Sequence, residues 1–243
     1  MRAVITAGGQ LRGAYAEAAG TTVKALARVR GRTMLERTIE AAHGAGALET
    51  AVVGDEPVRA ACAGGLVERV IPASEDGAEN VLRALRAWPH DDALLYLTSD
   101  LPYVRAAAIT DFVERAEGRL AIALTDAAAF ALRFPGAPGF GIAIGRERVV
   151  NGGAFFLPPG GASRVAELAA KFFNARKHPW RMARLAGPDL LCRLLFNAIS
   201  IPMLERRSER LLGLRVQAVR NCAPELGFDA DELAQYRYAC AHE

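Results

Sequence analysis

The sequence predicts an α/β fold, a three-layer sandwich in which helices cover both faces of a mainly parallel sheet. Short apolar runs alternate with stretches of helical periodicity along most of the chain, and this alternation is typical of βα units. The 243 residues are 51% apolar and 23% charged, a composition that can bury a full core without disulfides or metal sites. Residues 163–212 lack a strand pattern, so we expect a helical insertion near the C-terminus.

The strands are predicted at short apolar runs, and the helices at longer segments of helical periodicity between them. In chain order, the predicted strands are residues 3–6, 50–54, 67–71, 93–98, 120–125, 141–144, 154–157 and 216–220. The predicted helices are residues 33–45, 78–88, 105–117 and 231–241.

The inserted segment has leucine and alanine spacing that suits three helices. We expect them to be broken near Pro179, Pro188 and Pro202, because proline cannot continue a helix interior. One more strand and one more helix follow. The predicted organisation is therefore a main domain of residues 1–162 and 213–243, with residues 163–212 as an acceptor-side or interaction subdomain.

Several classes of protein are excluded. The apolar run that follows Met1-Arg2 is shorter than the core of a signal peptide, and the stretch 190–204 contains charge and proline, so we expect a cytoplasmic protein without a transmembrane segment. The four cysteines are scattered without metal-ligand spacing, as expected of reduced thiols: Cys62, Cys192, Cys222 and Cys240.

The net charge of +3 hides a basic segment. Residues 164–220 contain 12 basic and 4 acidic side chains, which suggests that this segment meets something acidic, although a solvated helical face explains the charge equally well. Its aromatic residues Phe172, Phe173 and Trp180 have the spacing of a helical core, so we do not expect nucleic-acid binding. Lysine is rare in this chain, with only Lys24, Lys171 and Lys177, which draws attention to a lysine in a loop.

A glycine-containing loop follows the first predicted strand, at the strand end where open parallel sheets bind ligands. Gly8 and Gly9 leave backbone N–H groups free to face a phosphate. The loop matches neither the Walker A pattern nor the dinucleotide fingerprint, so on its own it is equally well explained as a tight turn. Arg12 in the loop and Lys24 after it add positive charge.

A carboxylate ends the buried run 94–98: Asp100, followed by Leu101-Pro102. Mg²⁺ is usually held by one or two carboxylates together with phosphate oxygens, and a strand end is a suitable place for such a ligand. The alternative is that Asp100 caps the next helix.

A second acidic pair, Asp229 and Asp231, precedes the last predicted helix. Asp231 is also a candidate helix cap, whereas Asp229 is not. In an extended segment their side chains point to opposite faces, so we expect at most one of them to reach the same metal as Asp100.

These residues resemble the motifs of the nucleotidyltransferases typified by molybdenum-cofactor guanylyltransferase. The likeness lies in the order and spacing of six segments that reach both ends of the chain. They are residues 7–12 (AGGQLR), 23–26 (VKAL), 29–36 (VRGRTMLE), 99–102 (SDLP), 151–157 (NGGAFFL) and 225–231 (ELGFDAD). The helical insertion matches only a poorly characterised subgroup of such proteins.

The resemblance implies a glycosyltransferase-A-like, Rossmann-like sandwich that transfers a nucleoside monophosphate from an NTP to a phosphorylated acceptor. The residues that it assigns to the nucleotide are Ala7, Gly8, Gly9, Gln10, Ser74 and Asn80. Arg12 and Lys24 would meet the charge of the triphosphate, and Asp100 would bind Mg²⁺ with Asp229 or Asp231. Asn151, Gly152 and Gly153 would lie on the acceptor side.

Three features depart from the pattern of that family. Gly13-Ala14-Tyr15 follows Arg12 in place of the usual sequence, and Thr33 stands where proline is common. The final motif also lacks an insertion expected after Asp231, which leaves the choice between the two late aspartates open.

The basic insertion has two interpretations. It could form the acceptor pocket and gather an anionic substrate, or it could be an interaction module, either a homodimer surface or a peripheral contact with anionic lipid through Trp180. A further alternative for the whole chain is a regulatory protein that binds nucleotide without transferring it.

Overall fold

The computed structural model describes residues 1–89, 92–175 and 199–242. Its strands are β1 (Arg2–Thr6), β2 (Arg28–Val29), β3 (Arg32–Thr33), β4 (Thr50–Gly54), β5 (Arg69–Pro72), β6 (Leu94–Thr98), β7 (Leu120–Asp126), β8 (Ile142–Ile144), β9 (Glu147–Leu157) and β10 (Val216–Val219). The helices in these ranges are α1 (Gly13–Ala19), α2 (Met34–Gly44), α3 (Glu56–Ala61), α4 (Gly77–Leu85), α5 (Ala106–Ala116), α6 (Ala127–Arg133), α7 (Gly161–Ala175), α8 (Ile201–Leu212) and α9 (Leu233–Ala241). Short 3₁₀ turns lie at Lys24–Leu26 and Pro224–Leu226.

The main sheet has the strand order β10-β7-β9-β6-β1-β4-β5, with β8 paired to β9. β1 lies inside the sheet and pairs in parallel with β4 and β6, while β9 runs antiparallel between β6 and β7. Ala3, Val4 and Ile5 of β1 are fully buried, as expected of a central parallel strand covered on both faces. The predicted mainly parallel sheet is confirmed.

Alternate residues of the strands pack into two separate cores. Ile5 and Leu97 face one cluster, which includes Leu35 of α2 and Phe112 of α5. On the other face, Val4 packs in a second cluster with residues of α4 and α7 that include Leu82, Leu85, Ala162 and Ala166. Helices therefore cover both faces, and the three-layer architecture is confirmed.

The ends of several elements differ from the prediction. α4 ends at Leu85, three residues before Trp88, whose indole Nε1 instead donates to the carbonyl of Ala3 at 2.8 Å. Trp88, the apolar residue that extended the predicted helix, therefore bonds to strand β1 instead of continuing α4. Helices α1, α3 and α6 were not predicted, because helices of six or seven residues are too short to show an apolar periodicity.

Strand β9 is much longer than the predicted run 154–157. Its register against β7 shifts, since Ile122 pairs with Phe155 while Leu124 pairs with Asn151. Glycine permits this irregularity: a Cβ added to Gly152 would lie 2.8 Å from Cβ of Ala123. The two adjacent glycines that weaken the strand pattern in the sequence are what the bulge requires.

The edge strand β10 is protected by α8. Glu205 and Glu209 on this helix accept hydrogen bonds from the backbone N–H groups of Ala218 (2.7 Å) and Val216 (3.1 Å). Bonded N–H groups cannot recruit another strand, so these carboxylates limit edge-to-edge pairing. This contact gives part of the basic segment a structural role.

Only the flanks of the predicted insertion are described. α8 begins at Ile201 with Pro202 in its first turn, which agrees with the predicted break. Pro179, Trp180 and Pro188 lie outside the described residues. In the part of the chain that is described, no helix combines the length and apolarity needed to cross a membrane.

Candidate active site

The glycine loop after β1 is held by the segment that carries Lys24. The backbone N–H of Lys24 donates to the carbonyl of Gly9 at 2.9 Å, and that of Leu11 donates to Thr22 at 2.7 Å. Gly9 and Gln10 are exposed, whereas Ala7 is buried and donates to Val53 of β4 at 2.7 Å. The loop is thus anchored at its base and open at its tip.

Asn80 fixes a second loop against the glycines. Its side-chain Oδ1 accepts from the N–H of Ser74 at 2.6 Å, and its Nδ2 donates to the carbonyl of the same residue at 2.8 Å. A Cβ on Gly8 would lie 2.8 Å from this Nδ2, so the buried amide packs directly on the glycine. Asn80 thereby positions Ser74, and the missing side chain at Gly8 permits that contact.

The other polar residues of the loop point outward. Gln10 Nε2 donates to Oδ2 of Asp55 at 3.1 Å, and both side chains lie at an exposed position. Arg12 precedes α1, is exposed and makes no capping hydrogen bond. The sequence interpretation overlooked Asp55, although it follows β4 directly, as Asp100 follows β6.

Lys24, Asp100 and Asp231 form the centre of the site. The ammonium Nζ of Lys24 contacts Oδ2 of Asp100 and Oδ1 of Asp231. The side chains of Lys24 and Asp100 are only 13% and 16% exposed, whereas that of Asp231 is 62% exposed. Residues far apart in sequence, at the end of β6, after the glycine loop and before α9, therefore meet at one point.

Neither aspartate caps a helix. Arg105 is the N-cap of α5, and Glu232 is the N-cap of α9, where it forms a capping box with Gln235. The alternative explanation of Asp100 and Asp231 as helix caps is therefore wrong.

Backbone hydrogen bonds hold the two acidic loops together. The N–H of Ala230 donates to the carbonyl of Asp100 at 3.0 Å, and the hydroxyl of Tyr15 in α1 donates to the carbonyl of Ala230 at 2.7 Å. Tyr15 also packs against Tyr236 of α9 at 5.2 Å between ring centroids. Asp229 and Asp231 are thus held on either side of a residue bound to Asp100.

The charges of this cluster alter two pKa values. Burial acts most strongly on Lys24 and favours its neutral form, but the contacts with Asp100 and Asp231 outweigh it and raise its pKa. Burial, followed by the charges of Asp231 and Asp100, raises the pKa of Asp229 from its ordinary value of 3.8 to about 6. The site therefore holds a charged lysine and a carboxyl group that resists ionisation.

The raised pKa of Asp229 has a consequence for stability. A folded protein that binds this proton more tightly than the unfolded chain loses stability as pH rises from about 4 through about 6. We expect the free energy of unfolding of Asp229→Asn to exceed that of the wild type at pH 8 by on the order of 1–3 kcal/mol. At pH 4 the two proteins should have the same free energy of unfolding. Urea unfolding in metal-free buffer at pH 4 and pH 8 measures these free energies. An equal difference between the two proteins at both pH values would contradict the raised pKa of Asp229.

The chemistry of the aspartates suits a hard divalent cation. Oδ1 of Asp100 is buried and has no hydrogen-bond partner among the described residues, so one strong acceptor is left for a ligand. Within residues 1–89, 92–175 and 199–242, no group of three or more histidine, cysteine or acidic side chains has metal-ligand geometry. Asp100 could accept a cation with Asp229 or Asp231 as a second ligand, and Lys24 now supplies the positive charge.

The glycine pair of β9 borders the same site. A Cβ on Gly153 would lie 2.4 Å from Oγ1 of Thr98 and 3.0 Å from Leu101, so no side chain fits between β9 and the end of β6. Gly152 is buried, and Asn151 is exposed. Thr98, which is two residues from Asp100, has a buried hydroxyl oxygen without a hydrogen-bond partner in the described part of the chain.

A buried ion-pair network lies behind the acidic loop and was missed by the sequence interpretation. Glu225 has a side chain that is 4% exposed, and its Oε1 accepts from Arg105 and from Arg133, the latter at 3.2 Å. Burial acts to raise its pKa, but a backbone N–H group and the two arginines together lower it. Glu225 thus anchors the segment that leads to Asp229 and Asp231, and only tertiary structure could reveal its partners.

The sequence and the fold are similar to those of known transferases. Residues 3–150 match the MobA-like NTP transferase domain family. A hypothetical transferase from Thermus thermophilus has 29% identity and a TM-score of 0.79, and the alignment covers 97% of this chain and 100% of that one. No curated protein matches the chain.

Two further solved structures share the fold at lower identity. The 2-C-methyl-D-erythritol 4-phosphate cytidylyltransferase of Thermus thermophilus has 19% identity and a TM-score of 0.58, with 99% and 97% of the two chains covered. A Mycobacterium tuberculosis protein in complex with manganese has 17% identity and a TM-score of 0.54, with 100% and 98% covered.

Proposed function

We propose that this chain, which belongs to the MobA-like NTP transferase family, transfers a nucleoside monophosphate from an NTP to a phosphorylated small-molecule acceptor in an Mg²⁺-dependent reaction. Family membership makes it a nucleotidyltransferase. The proposal adds the metal, the acceptor class and the release of pyrophosphate. The observation that carries it is the contact between Lys24 and Asp100 beside the glycine loop.

The proposed chemistry is an in-line attack of an acceptor phosphate oxygen on the α-phosphorus of the NTP. The new P–O bond forms as the bond to the β-phosphate oxygen breaks, and its electrons leave with pyrophosphate. An ionised phosphate is already a nucleophile, so the protein needs no covalent intermediate and little general-base help. Catalysis then depends on position and on charge stabilisation.

Each residue of the site has a role in this scheme. The N–H groups of Gly8 and Gly9 face the triphosphate, and Lys24 and Arg12 offset its negative charge. Ser74, held by Asn80, faces the nucleoside, and Asn151 to Gly153 face the acceptor. Asp100, with Asp229 or Asp231, would hold Mg²⁺, which neutralises charge on the nucleotide oxygens when bound.

Lys24 changes partners in this scheme. Without nucleotide, its ammonium group offsets the charges of Asp100 and Asp231. With Mg²⁺ held by the carboxylates, the ammonium group would be free to meet the phosphates of the nucleotide. A flexible lysine is suited to such a change, because its compact charge sits on a stem of rotatable bonds.

Thermal unfolding with ATP, GTP, CTP and UTP, each with and without Mg²⁺, tests the proposal. We expect one nucleotide to stabilise the protein only with Mg²⁺, by about 2.7 kcal/mol at about 100 times its dissociation constant. Pyrophosphate release is then measured with that nucleotide and a panel of phosphorylated sugars and alcohols.

The outcomes separate the two functions considered. Metal-dependent stabilisation with acceptor-dependent pyrophosphate release supports the transferase. Stabilisation without release across the whole panel favours a nucleotide-binding regulator, and the absence of any stabilisation contradicts both.

A further inference from the structure

An apolar cavity lies on the face of the sheet that α4 and α7 cover. It has a volume of about 340 Å³. Its lining includes Val81 and Leu85 of α4, Val165 of α7, and Phe155 and Leu157 of β9. Protein interiors contain few voids larger than a water molecule, and a volume of this size is within the range of small-molecule sites. The cavity is therefore a candidate ligand site.

The lining has almost no means of binding a polar ligand. Among the described residues that line the cavity, only Tyr96 and Thr98 have a polar side-chain atom. The hydroxyl of Tyr96 is hydrogen-bonded to that of Thr6 at 3.1 Å, and the hydroxyl oxygen of Thr98 is itself buried. A sugar hydroxyl placed here would lose its hydrogen bonds to water without replacement, which costs free energy. The lining therefore favours an apolar group.

The cavity is elongated along strand β6. Leu157, which lines one end, pairs with Leu94, the first residue of β6. Thr98, the last residue of β6, lines the other end, about 13 Å further along at the rise of a strand. An apolar cavity of this shape suits an extended hydrocarbon chain.

One end of the cavity reaches the edge of the sheet where the proposed reaction takes place. Thr98 lies two residues before Asp100 and directly against Gly153, one of the glycines proposed to face the acceptor. Val81 directly follows Asn80, which packs on the glycine loop. The cavity is therefore continuous with the acceptor side of the candidate active site.

We propose that this cavity holds the apolar chain of the acceptor, which is then the phosphate ester of an apolar alcohol. The inference rests on the proposed transferase function, and the acceptor phosphate remains the nucleophile of that reaction. This phosphate would lie near Asp100 at the carboxyl end of β6, while the chain extends past Thr98 towards Leu157. Burial of the chain supplies affinity that a sugar phosphate cannot obtain from the same lining.

Calorimetric titration of octan-1-ol tests the cavity without any reaction. The buffer contains EDTA and no nucleotide, so binding does not depend on the metal or on the transferase function. We expect one saturable site in the wild type. In the series octan-1-ol, heptan-1-ol and hexan-1-ol, the affinity should fall about fourfold for each CH₂ group removed, as expected when each group is buried.

Two variants place a larger side chain in the cavity, at half-buried positions on different helices. Val81→Phe in α4 and Val165→Phe in α7 should each weaken octan-1-ol binding by at least about tenfold. Val113→Phe is the matched control, because Val113 is a half-buried valine of α5 on the opposite face of the sheet. It should bind octan-1-ol as the wild type does. Urea unfolding of the three variants checks that each is folded, and the two cavity positions test the site independently.

Pyrophosphate release then tests the role of the cavity in the reaction. The acceptors are octyl phosphate, below its critical micelle concentration, and glycerol 3-phosphate, each with Mg²⁺ and the stabilising NTP. We expect kcat/KM to be at least about tenfold higher for octyl phosphate. Val165→Phe should raise the KM for octyl phosphate rather than lower kcat, because the chain is bound away from the reacting phosphate.

The results that overturn the inference differ from those that overturn the transferase function. Absence of saturable octan-1-ol binding, or binding that both phenylalanine variants leave unchanged, excludes the cavity as a ligand site. A higher kcat/KM for glycerol 3-phosphate overturns the apolar acceptor but leaves the transferase in place. Absence of release with every acceptor, while octan-1-ol still binds, contradicts the transferase function and with it the acceptor role of the cavity.

Discussion

Lys24→Ala is expected to lose at least about 10²-fold in turnover, the effect of removing one preorganised electrostatic group from a transition state. The side chain of Lys24 is 13% exposed and its ammonium group lies between Asp100 and Asp231, so neither water nor another cation readily takes its place. Its loss also leaves the carboxylates of Asp100 and Asp231 without their cation. We therefore expect a lower unfolding temperature without metal, and partial recovery with Mg²⁺.

Lys24→Arg is the conservative control for this variant. A planar guanidinium is larger than an ammonium group and presents its charge as a fork, so it cannot occupy the same position between two carboxylates. We expect Lys24→Arg to regain stability but not turnover. Steady-state rates at wild-type level in both variants would show that Lys24 has no part in the reaction.

Asp100→Ala has the second large expected effect, also a loss of at least about 10²-fold in turnover. Asp100 provides the buried Oδ1 that no described residue satisfies, together with the Oδ2 that holds Lys24. In the proposed scheme its removal eliminates a metal ligand, and it leaves Lys24 with Asp231 as its remaining carboxylate partner. The loss should appear in steady-state rates at saturating nucleotide and Mg²⁺.

Asp111→Ala is the matched control for Asp100→Ala. Asp111 is an exposed aspartate in α5 that pairs with Arg115 at 2.9 Å. It should retain wild-type turnover, since exposed pairs of this kind contribute little to stability. An Asp100→Ala enzyme that keeps wild-type rates would exclude a metal role for this residue.

The sequence predicts much of the site because several of its residues follow strands. Asp100 ends the run 94–98, and the glycine loop follows β1; neighbouring parallel strands present their carboxyl ends at the same edge of a sheet. Lys24 is recognisable as a lysine in a chain that otherwise uses arginine. The sandwich follows in the same way from the alternation of strands and helices.

The rest depends on contacts between residues that are distant in sequence. The contact of Lys24 with Asp231 depends on the loop that bonds Ala230 to Asp100, and no periodicity reveals it. The pairing of Glu225 with Arg105 and Arg133 joins residues about a hundred positions apart. The β9 bulge likewise depends on a neighbouring strand, because Ala123 of β7 leaves no room for a side chain at Gly152.

Asn80 illustrates a different gap between sequence and structure. The sequence resemblance assigns it to the nucleotide, yet its amide oxygen and nitrogen both bond to the backbone of Ser74. Any effect of Asn80 on nucleotide binding is therefore expected to pass through the loop that it positions. Motif spacing points to a candidate residue, but it does not reveal which of its atoms remain available to a ligand.

The most direct measurement is calorimetric titration of the stabilising NTP into the wild type and Asp100→Ala, each with Mg²⁺ and with EDTA. The account predicts that Mg²⁺ strengthens nucleotide binding to the wild type by at least about tenfold and leaves the affinity of Asp100→Ala unchanged. Equal strengthening in both proteins would contradict it, because the cation would then be held elsewhere than at Asp100.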